Sequence, residues 1–272
     1  MWFTAQVVWL SFTLLALLVS FRGHFVWGAF FIACAFFCRA TAISGFVFVG
    51  YLAWQNVGRE QLVERFATSL LARRPDWTAI PWRRLLGPLV VGVATLLLYM
   101  LRNALVFANP FESGYNIQIL QRHPEVTAGA FNLSYIPSNI VANFLTFPTV
   151  TFTGPFDRHP IINMVGNGVA TSVFATTPLF LYLFWRNRRF SMMRVALWVT
   201  LGLVLLQVLT FHAAGYFQFG ARYLFDGYPF AFLLLAMAEF KVDWRVLLLG
   251  ALGVAACLLG AQQLWTHSIL QL

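Results

Sequence analysis

Leu85-Leu-Gly-Pro-Leu-Val-Val-Gly-Val-Ala-Thr-Leu-Leu-Leu-Tyr-Met100 carries no charged side chain, and the segment Asn103-Ala-Leu-Val-Phe107-Ala-Asn109-Pro110-Phe111-Glu112-Ser-Gly114-Tyr115 follows it almost at once. The first stretch is apolar enough to enter a bilayer. The second then sets Arg102, Asn103, Glu112 and Tyr115 where hydrocarbon gives way to water. A boundary of that kind suits chemistry on substrates carried by lipids.

The rest of the chain repeats the pattern. With 60% hydrophobic and 10% charged residues and a mean hydropathy of +0.74, there is too little polar surface to coat a soluble globule, so the composition is that of a multi-pass membrane protein. The apolar runs are longer than barrel strands and lack alternation, which leaves helices as the spanning element. An excess of 18 basic over 9 acidic residues gives a net charge of +9. The arginines are scattered between apolar runs rather than gathered in one patch, a distribution that argues against nucleic acid and for topology determinants facing membrane lipids. One lysine, Lys241, stands against seventeen arginines, a bias of GC-rich bacterial genomes. Cys34, Cys38 and Cys257 lie in or beside apolar runs without metal-ligand spacing, so packing accounts for them and no metal or cofactor is implied.

The expected fold class is all-α, a polytopic helix bundle forming a single transmembrane domain over 1–272. About eight spans are predicted: 2–21, two shorter helices within 25–54 turning at Arg39, then 85–107, 161–185, 195–216, 224–238 and 246–265. The arginine-rich loop 55–84 and the segment 186–194 fall on the cytoplasmic side by the positive-inside rule. Counting helices outward from them puts Lys241 and Arg245 on the same side, which was not assumed. Thirteen basic residues are then inside, and Arg39, Arg102, Arg122, Arg158 and Arg222 are at or beyond the outer boundary. The outer loop 108–160 is long for a connection. Its mixture of Phe, Tyr, Ile and Pro with Asn and Ser suits interfacial helices, or a cap over the bundle.

Boundary arginines are costly without a task. Arg222 and Tyr223, in Gly220-Ala-Arg222-Tyr223-Leu224-Phe-Asp226-Gly-Tyr228-Pro229, open an apolar run, and arginine's planar fork of donors matches phosphate oxygens. A lipid phosphate is one natural ligand there; a headgroup anchor with Tyr223 in the aromatic belt is the other. Arg39 and Arg102 pose the same question at the same face, and Arg102 could equally clamp Glu112. For acid or base work the outer face offers Glu112, Glu125, Asp157 and Asp226, none paired at a convincing spacing. His212 lies within an apolar run, where packing is the commoner role.

Four stretches resemble the polytopic GT-C membrane glycosyltransferases, in particular bacterial members related to protein mannosyltransferases that use polyprenyl-phosphate sugars. Cys38-Arg39-Ala-Thr41 is similar to the family's Thr-Arg-Pro-Thr turn between paired helices, and Asn103 to Tyr115 to its segment ending in Asn-Pro-x-Glu-x-Gly-Tyr. Gly220 to Pro229 resembles its Arg-Tyr-Leu segment, and Thr176-Thr177-Pro178-Leu179 its Thr-Ser-Pro element. The likeness covers essentially the whole chain, in order. It implies transfer of a sugar from a polyprenyl-phosphate donor at the outer face of a bacterial inner membrane. The anomeric carbon would be inverted, with the lipid phosphate leaving and an outer-face carboxylate as base. The acceptor is not implied. Donor binding would fall to Arg222 and Tyr223, with Arg39, Arg102, Glu112 and Tyr115 as further candidates. Family enzymes carry the catalytic Asp or Glu in a first outer loop, ahead of the region this sequence resembles. The expectation is therefore an N-terminally truncated fragment or a degenerate gene, active only if that loop belongs to the native chain. A non-enzymatic lipid-phosphate-binding or transport subunit is the alternative.

The topology has a direct test. Single cysteines at Ser113 and Arg188 should react with an impermeant thiol reagent at Ser113 only; the opposite pattern reverses the orientation.

Overall fold

A bilayer offers its spanning backbone no water to bond with, so each apolar run must close its hydrogen bonds within itself. The computed structural model describes residues 2–55, 81–112, 114, 117, 121, 128–147, 149–152, 160–163, 171–185, 191–212, 222–237 and 242–270. Their regular structure is helical apart from one short antiparallel pair of strands, Thr149–Phe152 (β1) with Pro160–Asn163 (β2). Among the described residues, four helices are long and apolar enough to cross a membrane. They are α1 (Trp2–Phe21), α4 (Trp82–Phe107), α8 (Met192–Thr210) and α10 (Trp244–Leu270). Shorter apolar helices are α2 (Phe25–Cys38), α3 (Gly45–Gln55) behind a 3-10 turn at Ala40–Ser44, and α9 (Tyr228–Ala236). The remaining pieces are α5 (Ile136–Ile140), α6 (Val173–Thr176) and α7 (Tyr182–Trp185).

Among the described residues, four of the about eight predicted spans are helices of spanning length, and the described part of the predicted span 161–185 is not one helix. Its start is strand β2, and its end is broken into α6, a 3-10 turn at Pro178–Leu181 and α7. The local cause is Thr177, held out of the helical region at φ −135°, ψ 69° ahead of Pro178. Proline lacks the N–H that a helix would use and biases the residue before it away from helical ψ.

The chain divides into two compact units: Met1–Ala130 with Arg188–Leu205 and Asp226–Met237, and Phe131–Asn187 with Leu206–Phe225 and Ala238–Leu272. In the first, α1 and α2 form an antiparallel helical hairpin. Gly23, at φ 85°, closes α1: its N–H reaches Ser20 O at 3.0 Å while His24 N–H reaches Val19 O at 3.0 Å. This paired closure needs the left-handed residue that glycine supplies. Past the turn the two backbones approach closely, because a Cβ on Gly28 would stand 1.9 Å from Ser20 Oγ and 3.2 Å from Ala16 O. Small residues admit that approach in lipid, where packing rather than water exclusion drives association. Ala16, Ala29, Ile32 and Val49 form the buried centre.

Contacts along α2 and α4 fix their relative direction. The face at Gly87 meets Val26, and Tyr99 packs edge-on to Phe36 with ring centroids 5.0 Å apart. The two helices are parallel, so Arg22, Arg83 and Arg84 share one end of this unit while Arg39 and Arg102 share the other. Arg194, near the start of α8, donates to Met237 O just past α9. Gly227 at the start of α9 faces Leu201. Those two helices are antiparallel, and Arg194 lies toward the Arg22 end.

In the second unit, the expected helix 195–216 stops at Thr210 because its last carbonyls are taken from outside. Asn139 Nδ2 donates to Leu209 O and Phe211 O, each at 2.7 Å, and Asn132 N–H donates to Thr210 O at 2.8 Å. Beyond α5 lies one π-helical turn, Val141–Leu145. Ser172 ties it down, donating from Oγ to Phe144 O and from N to Thr146 O, each at 2.7 Å. The long outer loop was expected to hold interfacial helices; its described part holds α5, the π turn and the strand pair. α10 packs on α6 and the Pro178 turn. Both α4 and α10 have only 11% of their spanning windows buried, and most of their Leu and Val side chains are exposed, away from one packed face marked by Pro88, Thr95 and Asn103 in α4 and by Val246 and Ala256 in α10. Water would not tolerate such surfaces; lipid does.

Gly28→Leu should destabilise the full chain in detergent by about 1–3 kcal/mol through overpacking. Gly50→Ala, where an added Cβ meets nothing within 4 Å, should be neutral or mildly stabilising. Thermal unfolding followed by circular dichroism checks both.

Candidate functional site

Arg39 breaks the α2–α3 hairpin: its backbone is extended at φ −152°, ψ 123°, and the 3-10 turn that follows begins at Ala40. Two residues on, Thr41 comes to the same partner. That partner is Asp226, from the 3-10 turn Arg222–Gly227 that leads into α9. Arg39 Nε donates to Asp226 Oδ2 at 2.9 Å and lies 2.8 Å from Oδ1, and Thr41 Oγ1 donates to Oδ2 at 2.6 Å. The carboxylate is wholly buried and the arginine side chain is 11% exposed. Charges this deep persist only when paired and hydrogen-bonded. Arg39 meets Asp226 through Nε alone, so its terminal Nη fork is not engaged by a hydrogen bond among the described residues.

A second polar cluster closes α4 at the same end of the unit. Ala108 adopts the left-handed conformation at φ 54°. Asn103, fully buried, donates from Nδ2 to Pro110 O at 3.4 Å and accepts from Arg102 Nη1 at 3.0 Å. The Arg102 guanidinium lies 5.5 Å from the Phe107 ring centre, a cation–π distance. Asn109 Oδ1 accepts from Phe111 N–H at 3.0 Å, and Glu112 Oε1 from Gly114 N–H at 2.9 Å. Gly114 has φ 79°, and any Cβ there would press to 2.6 Å from the Phe107 ring. The Asn103–Gly114 signature thus works locally as a helix-terminating cap.

Of the residues picked out in the sequence, Arg39 enters the buried pair, while Arg102 and Glu112 enter the cap. Arg102 turns to Asn103 and Phe107. Tyr223 packs edge-on to Phe211 at 5.6 Å in the second unit, as does His212 at 4.6 Å. Arg222 opens the 3-10 turn; its side chain, like the whole of Tyr115, lies outside the described residues. Asp226 is what sequence reasoning missed, since it was taken as one unpaired outer carboxylate among several. The available signal was reciprocal: an arginine and an aspartate each interrupt an apolar run, and such residues usually find each other. Comparison with protein-family models, curated proteins and solved structures finds no match for this chain.

Removing one partner of the pair should cost far more than removing both. Asp226→Ala and Arg39→Ala are each expected to lose about 3–5 kcal/mol, and the double variant much less than their sum, because each single change strands a buried charge. A double-mutant cycle in detergent measures the difference.

Proposed function

We propose that this chain is a membrane glycosyltransferase of GT-C type, or a fragment of one, that binds a polyprenyl-phosphate sugar at the end of its bundle carrying Arg39 and Arg102. The observation that carries this reading is the Arg39–Asp226 pair. It joins two of the stretches on which the family resemblance rests, Cys38–Thr41 and Gly220–Pro229, across 187 residues of sequence. The Nη fork of Arg39, not hydrogen-bonded among the described residues, is a donor pair suited to a phosphate oxygen, and Arg222 stands four residues before the carboxylate that holds Arg39.

Orientation supports the same reading. Arg22, Arg83, Arg84 and Arg194 gather toward one end of the first unit, which the positive-inside rule assigns to the cytoplasm of a bacterial inner membrane. The site end then faces outward, and the shorter helices α2, α3 and α9 serve as further crossing segments of the first unit. In the transfer itself an acceptor hydroxyl attacks the anomeric carbon as the bond from that carbon to the phosphate oxygen breaks. The electron pair leaves with the polyprenyl phosphate, and the acceptor's proton passes to a carboxylate base. One observation favours the rival reading, a lipid-phosphate-binding subunit without chemistry: Asp226, buried and held by both Arg39 and Thr41, is already committed to a positioning role.

Vesicles containing the full chain, a radiolabelled polyprenyl-phosphate sugar and a host membrane extract as the source of acceptor hydroxyls separate the two. Release of unglycosylated polyprenyl phosphate that falls at least about a hundredfold in Arg222→Ala, at unchanged membrane level, is the expected result. Retention of the lipid without release identifies the binding subunit, and failure to retain it rejects both.

A further inference from the structure

The helices α3 and α4 do not close on each other along their full length. Between them runs an apolar groove of about 400 Å³, lined among others by Phe46 and Gly50 from α3 and by Trp82, Leu89, Gly92 and Leu96 from α4. The glycines thin its walls: an added Cβ on Gly50 would meet nothing within 4 Å, and one on Gly92 would only touch Phe46 at 3.6 Å. From Trp82 to Leu96 the groove runs about 21 Å at ~1.5 Å per residue. One leaflet of a hydrocarbon core ~30 Å thick is ~15 Å deep, so the groove has the length of a single acyl chain rather than of a longer isoprenoid.

Among the described residues, the charged groups at its Trp82 end are all basic. Arg83 and Arg84 occupy the same first turn of α4, and Arg22 closes the neighbouring α1–α2 hairpin at that end. All three are exposed, and none has a side-chain hydrogen bond or ion pair among the described residues. The acidic residues described in this unit, Glu112 and Asp226, are at the opposite end. An apolar slot one acyl chain long, ending at an aromatic ring and exposed guanidinium groups unpaired among the described residues, is complementary to a lipid with an anionic head.

We propose that α3 and α4 form a binding site for an anionic phospholipid of the leaflet at the Arg83–Arg84 end, one acyl chain lying in the groove and its phosphate meeting these arginines. The site is separate from the Arg39–Asp226 end and independent of sugar transfer. It depends only on the chain residing in a membrane. Each arginine near the surface contributes about a fivefold preference for an anionic head, roughly twentyfold for the pair.

The test is native mass spectrometry of the full chain from nanodiscs of equal phosphatidylglycerol and phosphatidylcholine. One phosphatidylglycerol should persist through delipidation in preference to phosphatidylcholine by about tenfold or more. Arg83→Gln with Arg84→Gln should erase the preference, and Gly50→Leu, which fills the groove, should release the lipid. Equal retention of the two lipids, or a preference that neither change alters, overturns the proposal. Should a variant fail to insert, the unaltered protein decides the matter with a phosphatidylglycerol carrying a photoreactive acyl chain. Cross-links concentrated on the α3–α4 lining support the site; an even spread over α4 and the equally exposed α10 overturns it.

Discussion

Arg39 and Asp226 leave water together, and the arrangement of the first unit around them follows from that necessity. A lone guanidinium or carboxylate at 11% or zero exposure would cost several kcal/mol. Joined, and with Thr41 giving Oδ2 a second hydrogen bond while Oδ1 faces the guanidinium through the ion pair alone, they become a neutral group that an apolar surrounding accepts. The pair sets the break after α2 against the turn before α9. It therefore decides which way α9 enters, and with it the antiparallel pairing of α8 and α9 seen at Arg194 and at Gly227. In a low-dielectric setting such a pair gives position more than stability, since its attraction is largely offset by desolvation.

The same rule, that polar groups in an apolar chain must be answered locally or by a distant partner, organises the rest. Asn103 and Glu112 answer the end of α4 from within a few residues. Asn139 answers the end of α8 from 70 and 72 residues away. Ser172 does so for the π turn while also accepting from Phe174 N–H at 3.1 Å as the cap of α6. Side chains that look like candidate chemistry in a loop are here mostly the means by which helices are stopped. Asn143 is a partial exception: its Nδ2 donates to Asn139 O at 2.8 Å, but its buried Oδ1 has no partner among the described residues.

Where sequence reading fell short, the cause was range. The break at Arg39 was legible, because a run of 30 apolar residues with one arginine in it cannot be a single comfortable span. Helix α1 was legible to both ends. The segment 161–185 was not, since its hydropathy is that of a span while Thr177–Pro178 and the Ser172 cap cut it into turns. The end of α8 was equally hidden, being set by carbonyl acceptors claimed by Asn139 rather than by any stop signal in α8 itself. For the candidate site, Arg39 and Thr41 could be singled out from their neighbourhood, but Asp226 could only be listed.

Composition and hydrophobic runs by themselves determined that this chain is helical and apolar enough to cross a membrane, because backbone satisfaction and transfer from water are properties of each segment alone. They also determined how its arginines are distributed along the chain. Only the tertiary structure decided which arginine meets which carboxylate, which helices run parallel, and where a groove is left between α3 and α4. Those outcomes depend on distances between residues that share no local sequence, and a pairwise Coulomb or packing energy leaves no trace in either partner's neighbours.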